Sequence, residues 1–480
     1  MCRKTGVGNK KLREISKKDI PKLKYGVVHS QVGFSDGVSI VMEQVENVMR
    51  ENLKVPKENI FYLVGKTSKK ELRITEDEVL WDRHKVNRKM LGNFESGYGG
   101  HLSERIEASI LKAKIRIENW VKENKIDILI VHNSSHPVNF ISSVALSRYY
   151  RDAIARGRKT PKYILWWHDS HLEREHFSRP SNDVRKYLLE GVPGRFVEYI
   201  IFINNLQLRS VKKYFLEIDK KYKGFYKKIL SNHNVAYNTT GTFINSFRDI
   251  DAMDNGTRVK RFIRDFDIKG FLGREGLRLK DTLFCLQHTR IVERKRIDFA
   301  LKYCYELLEK SKKKALYFLV SGQADVTGAK YKRELIKLNK KLAKETGKRV
   351  FLIFAEDYYD KTKLSFDEYP RIFARLGGFS TYFSEVEGFG NNLLEVLASG
   401  LIPVVYKYPV FKKDIEKFNF SLLALDKFEV EDDVLSETLK FLASKKLRHK
   451  MVDNNLEILK EYFPHKIIAS KLERAIIKKR

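Results

Sequence analysis

The chain has 480 residues, with 93 Lys and Arg against 61 Asp and Glu and a formal charge of +32. That length exceeds what one hydrophobic core organises and predicts two domains, at most three. Apolar residues, 42% of the chain, come in short runs such as "EYIIFIN" and "LIPVVY", far below the roughly 18 needed to cross a bilayer; the basic start lacks the apolar stretch of a secretory signal, so a cytoplasmic protein is expected.

In chain order, "MCRKTGVGNKKLREISKKDIPK" (1–22) reads as a basic N-terminal extension. Short β-branched and aromatic runs then alternate with longer amphipathic stretches, the pattern of β-α-β units around parallel sheets. The first half offers strands at 24–32, 126–133, 162–169 and 198–205. Between them, "SERIEASILKAKIRIENWVKENK" (103–125) is read as a packing helix with a solvated basic face, in preference to a helix docked on anionic lipid. The polar, Gly-punctuated "NTTGTFINSFRDIDAMDNGTRVKRFIRDFDIKG" lacks a sustained period and reads as an interdomain connection. The second half offers strands at 282–289, 315–322, 349–356, 379–385 and 401–408. The expected division is a Rossmann-like lobe at 23–250, a linker at 251–275 and a second Rossmann-like lobe at 276–460.

Three cysteines, Cys2, Cys285 and Cys304, show no Cys-x-x-Cys spacing, which argues against a disulfide framework or a thiolate zinc site. The positive charge permits nucleic acid, an anionic membrane or a phosphorylated small molecule. No nucleic-acid recognition motif or basic run interleaved with aromatics is present, so no nucleic-acid partner is expected. The cluster "HDSHLEREH" is not His-Glu-x-x-His and reads as a charged, solvated helix, so no metal ligands are assigned.

The most informative stretch is "SEVEGFGNNLLEVLASGLIPVV" (384–405), which follows the strand "FSTYFSE" and starts a helix near Gly390. A helix N-terminus presents unpaired N–H groups and partial positive charge, and Gly388 and Gly390 let backbone approach a ligand. Gly388, Phe389, Gly390, Asn391, Asn392 and Leu393 thus form a candidate phosphate cradle, bracketed by Glu387 and Glu395. Carboxylates facing hydroxyls suit a sugar at one end and a ribose at the other.

"EGFGNNLLEVLASGLIPVV" resembles the E-x7-E signature of retaining glycosyltransferases of family 4. The resemblance implies the α/β GT-B fold, two Rossmann-like lobes with parallel sheets facing an interdomain cleft. It makes 23–250 the acceptor-side lobe and 276–460 the nucleotide-sugar lobe, with a C-terminal helix (461–480) crossing back to the first. "LQHTRIVERKRID" resembles the family's "GRL…K" segment, which assigns Arg290 and Lys295 to the donor diphosphate, with Thr289 where glycine is usual. "HSQVGFSDGVSIVMEQV" resembles the family's glycine-rich loop, giving Gly33, Asp36, Gly37 and Ser39 as candidates. His168, in "WWHD", resembles the histidine placed beside the reacting sugar, ahead of His171 or His176.

In the implied mechanism, Glu387 holds hydroxyls of the transferred sugar and Glu395 the ribose. Arg290, Lys295 and the amides at 390–393 stabilise the departing diphosphate without a required metal cofactor, dependence on a divalent cation being left open. The acceptor hydroxyl enters on the face the phosphate leaves, giving retention without a protein base, unlike the two-carboxylate glycosidases. "DGVSIVMEQV", "WWHDSHLEREHF", "LLEGVPGRFVEYIIFIN" and "LQHTRIVERKRID" together resemble a branch related to mannosylglucosyl-phosphoglycerate synthases. That implies GDP-mannose as donor and an anionic glucosyl-(phospho)glycerate as acceptor, in compatible-solute synthesis. Trehalose- or sucrose-phosphate-like transfer, lipid glycosylation at a membrane surface, and a catalytically silent binding module stay open.

Overall fold

The computed structural model describes residues 15–34, 37–89, 103–173, 177, 179–239, 246, 248, 256–324 and 328–478. Cys2, Asp36 and His176, residues 1–14 of the expected extension and 251–255 of the expected linker lie outside them. The chain forms two compact units, residues 1–237 with 465–480, and residues 238–464.

The first unit holds seven parallel strands: β1 (Tyr25–Val32), β2 (Ile60–Thr67), β3 (Ile74–Glu76), β4 (Ile128–His132), β5 (Lys162–Trp167), β6 (Tyr199–Phe202) and β7 (His233–Val235). Their order in the sheet is β3-β2-β1-β4-β5-β6-β7. Every residue of β4, β5 and β6 is buried, because helices cover both faces of a parallel sheet; this is why these strands read as unbroken apolar runs. The helix Ser103–Asn124 turns Ile106, Ile110, Ala113, Ile117 and Trp120 into the core. Its apolar face is therefore spent on packing, with Leu111 and Ile115 left exposed at its back.

The helix His465–Ile477 belongs to this unit although the whole second unit precedes it. Lys162 is buried and its ammonium donates to the carbonyls of Ile476 (2.8 Å) and Lys478. Asn234 Nδ2 donates to the carbonyl of Lys471 at 2.9 Å. Carbonyls at a helix end lack intrahelical partners and carry partial negative charge, so they offset the desolvation of this lysine.

The second unit holds six parallel strands: β8 (Thr282–Gln287), β9 (Ala315–Val320), β10 (Arg349–Phe354), β11 (Phe379–Tyr382), β12 (Pro403–Tyr406) and β13 (Leu423–Leu425), in the order β10-β9-β8-β11-β12-β13. The expected linker at 251–275 is corrected here: 257–274 fold into the helices Thr257–Asp265 and Ile268–Arg274. Phe262, Phe266, Ile268 and Leu272 are buried in the core of the second unit, with the Phe262 ring against Tyr317 and Phe373. Tertiary burial of these four residues outweighs the polar composition between them.

In each sheet the strand order reverses once, between β1 and β4 and between β8 and β11. Crevices outside the carboxyl ends of strands at such a reversal are where open α/β sheets bind ligands.

Candidate active site

In the second unit the reversal is framed by the turn after β8 and the segment after β11. The first carries His288, Arg290 and a 3₁₀ turn, Glu293–Lys295; the second runs from Ser384 into the helix Asn391–Ala398. Gly390 caps that helix at φ 120°, and a Cβ there would lie 2.3 Å from the Tyr408 hydroxyl, so only glycine fits. Tyr408 in turn donates to the carbonyl of Phe389 at 2.7 Å. Asn238 Nδ2 donates to Asn391 Oδ1 at 2.6 Å, and Asn392 Nδ2 to the carbonyl of His288 at 2.6 Å, so the helix start is tied to the end of β8.

Glu387 and Lys295 meet directly: the ammonium donates to Glu387 Oε1, with side-chain exposures of only 7% for Lys295 and 10% for Glu387. Tyr382 donates to the same oxygen at 3.0 Å, and Arg294 approaches Oε2 at 3.5 Å while bonding the carbonyl of Val386 at 2.6 Å. Burial works to raise the Glu387 carboxyl, but the Lys295 and Arg294 charges and the Lys295 and Ser384 hydrogen bonds bring it down to about 2. Burial lowers Lys295 to about 8, against the attraction of Glu387 and with the Arg294 and Arg290 charges adding to the fall. The pair is charged at neutral pH. Arg290 is exposed at the rim, and its charge is felt at Lys295.

Glu395, eight residues on, faces His288: Glu395 Oε2 lies 3.3 Å from His288 Nε2, whose Nδ1 is 2.9 Å from Ser321 Oγ. The imidazole is fully buried and stacks on Phe366 with centroids 3.9 Å apart. Thr289, where the resembled family has glycine, is accommodated by polar packing. Gln287 Nε2 donates to Thr289 Oγ1 at 3.1 Å, and Thr381 Oγ1 donates to Gln287 Oε1 at 2.6 Å.

In the first unit, Gly33 has φ 81°, and a Cβ on it would meet Ser68 Oγ at 2.6 Å. Gly37 opens the helix Gly37–Glu51 and is exposed. Ser39 is fully buried, with its hydroxyl 3.4 Å from the carbonyl of Gln31 on β1. His168, just beyond β5, is buried, and its Nε2 lies 3.1 Å from His132 Nδ1 at the end of β4. His29, on β1, bonds the carbonyl of His132 through Nδ1 at 3.0 Å, so Nδ1 carries the proton. Burial first, then the neighbouring His168 and His29 charges, keep His132 well below the usual histidine range. His171 packs edge-on against Tyr214 and is lowered to about 4 by burial. It is a core residue. Among the described residues no group of three or more His, Cys, Asp or Glu is arranged to hold a metal ion, and no helix is long and apolar enough to cross a membrane.

Sequence reasoning missed His288, Phe366, Arg294, Tyr382 and Tyr408 in the second unit and His29 and His132 in the first. Arg294 sits beside the chosen Lys295, and Tyr382 is on the strand that leads to Glu387; adjacency was their signal. His132 ends a strand as His168 does, so asking which polar residues close neighbouring strands would have found it.

No protein-family model matches the chain. It is 25% identical over 435 residues to the mannosylglucosylglycerate synthase of Petrotoga mobilis, covering 84% of this chain and 86% of that one. It is also 25% identical over 482 residues to the enzyme of the same name from Thermotoga maritima, covering 95% and 100%. Among solved structures, the N-terminal domain of Candida albicans trehalose-6-phosphate phosphatase superposes with a TM-score of 0.63 at 11% identity, over 96% of each chain. The UDP-forming α,α-trehalose-phosphate synthase of Burkholderia xenovorans, in complex with glucose-6-phosphate, gives 0.62 at 10%, over 95% and 100%. WaaG, a glycosyltransferase of lipopolysaccharide biosynthesis, gives 0.55 at 13%, over 94% and 99%. The fold is GT-B.

Proposed function

We propose that this glycosyltransferase moves mannose from GDP-mannose to an anionic glucosyl-(phospho)glycerate, with retention at the anomeric carbon. The reading is carried by one observation: Glu387 and Glu395 flank a glycine-capped helix start, each held by a residue from the β8 turn. The 25% identity to two mannosylglucosylglycerate synthases over 84% and 95% of the chain supports the choice of donor and acceptor.

The chemistry follows from the charges. The bond from the anomeric carbon to the diphosphate oxygen breaks, the acceptor oxygen bonds to that carbon on the same face, and the acceptor proton passes to the departing phosphate. Negative charge grows on the leaving group, where Lys295, Arg290 and the amides at 390–393 stabilise it; preorganised charges in a dry site do this without reorganising. A carboxyl at about 2 is too weak a base to take a proton near pH 7. Glu387 therefore accepts hydrogen bonds from the sugar and stabilises positive charge on its ring, Lys295 and Tyr382 keeping it ionised and oriented. Glu395 takes the ribose hydroxyls. In the first unit, His168 meets the sugar as a hydrogen-bonding imidazole, and Gly33, Asp36 and Gly37 belong to the acceptor side.

The test is turnover of GDP-mannose, UDP-glucose and ADP-glucose, each offered glucosylglycerate and its phosphate, with the product linkage read by NMR. Release of GDP with an α-linked mannosyl product is expected. Turnover of only a UDP- or ADP-sugar would overturn the donor; turnover of none would favour a silent binding module.

A further inference from the structure

Phe366 is a large aromatic residue that the packing of the second unit does not account for. It is half-buried and stands apart from the hydrophobic core, although Leu364 and Tyr369 on either side are buried in it. Among the described residues its one ring contact is the stack on His288. That imidazole is the one whose other edge faces Glu395.

The ring is also held in place. Ser365 and Glu368 close a reciprocal cap around it: Glu368 Oε2 accepts from the Ser365 amide at 2.8 Å and from its hydroxyl at 3.0 Å, and Arg258 pairs with Glu368 at 2.9 Å. Leu364 anchors the preceding residue, its amide bonded to Thr362 Oγ1 at 3.2 Å. A half-exposed aromatic on a rigid turn, beside the carboxylate assigned to a ribose, is placed where the base on that ribose arrives.

We propose that Phe366, backed by His288, is the stacking platform for the purine base of the donor nucleotide. The inference rests on the reading of Glu395 as the ribose carboxylate. A π-face stacks on any base and offers more overlap to a purine than to a pyrimidine, and truncating such a platform to alanine weakens binding by about 5- to 150-fold. A mere cover over the His288–Glu395 contact, by contrast, would affect GDP and UDP equally, since both carry the ribose.

The experiment is calorimetric titration of the full chain with GDP, UDP and inorganic pyrophosphate, before and after Phe366→Ala, with Phe366→Tyr and Phe366→Leu alongside. The expected result is a loss of about 10-fold or more for GDP, less for UDP and none for pyrophosphate, with Tyr restoring affinity and Leu restoring only part. Equal loss for GDP and UDP, any loss for pyrophosphate, no loss for GDP, or full rescue by Leu would overturn the platform. If the unsubstituted chain binds pyrophosphate but neither nucleotide, the ribose reading of Glu395 fails and this proposal falls with it.

Discussion

The two sheet reversals carry opposite chemistry. At β8/β11 the groups are ionic and mutually neutralising, with Glu387 held by Lys295, Arg294 and Tyr382. At β1/β4 the groups are imidazoles: His29, His132 and His168 lie in a row along adjacent strands, burial holds His132 well below the usual histidine range, and His132 stacks on Trp166 at 5.3 Å. An ionic site is suited to a ligand whose charge changes during reaction, since buried charges act strongly on new charge. An imidazole row is suited to hydroxyls instead, because a neutral ring offers one donor and one acceptor. The difference teaches that a fold used twice in one chain is given separate tasks by the residues closing its strands.

The sharpest way to break the comparison is Lys295→Ala. It leaves Glu387 buried without its main partner, so activity should fall by at least about 100-fold and the second unit should lose roughly 3–5 kcal/mol, read by denaturant melting. Next in size, His168→Ala should lower kcat by about 5- to 150-fold, the equivalent of losing one hydrogen-bonding partner worth about 1–3 kcal/mol, while GDP affinity stays unchanged. An equal loss of GDP affinity would contradict the division of tasks. Lys162→Met should cost about 1–3 kcal/mol in the first unit by stranding the buried Ile476 carbonyl, with KM unaltered.

The pH profile sharpens the ionic side. Lys295 is lowered from 10.5 to about 8, so its charge is present below that value and lost above it. Activity should fall on a limb near pH 8, and Lys295→Arg should move that limb upward. For stability the sign is the reverse: between about 8 and 10.5 the unfolded chain holds the proton and the fold does not, so this group's contribution rises with pH. Glu387, lowered from 4.5 to about 2, contributes stability that is complete above 4.5 and lost as pH falls through 2.

Much of this was legible in the sequence. Strands buried on both faces read as apolar runs, and β1, β4, β5, β6, β8, β9, β10, β11 and β12 fall within the expected stretches. The three-residue edge strands β3, β7 and β13 are too short to carry a period. β2 was overlooked although "IFYLV" is as apolar as its neighbours; the need for a parallel partner after the helix Gly37–Glu51 would have placed it. In the site, the Glu387 and Glu395 spacing was visible because one short segment, the turn before the helix Asn391–Ala398 and that helix itself, carries both ends of the signal. The partners of those carboxylates were not visible. His288 lies 107 residues from Glu395 and Arg294 93 from Glu387, and no local pattern records a contact made by a parallel sheet.

The central claim is tested most directly by titrating the chain with GDP, UDP and ADP, using Glu395→Ala as the control. GDP binding, weakened by about 10- to 100-fold in the variant through loss of a charge-assisted hydrogen bond, is the predicted result. Tighter binding of UDP or ADP, or GDP affinity untouched by the substitution, would contradict it.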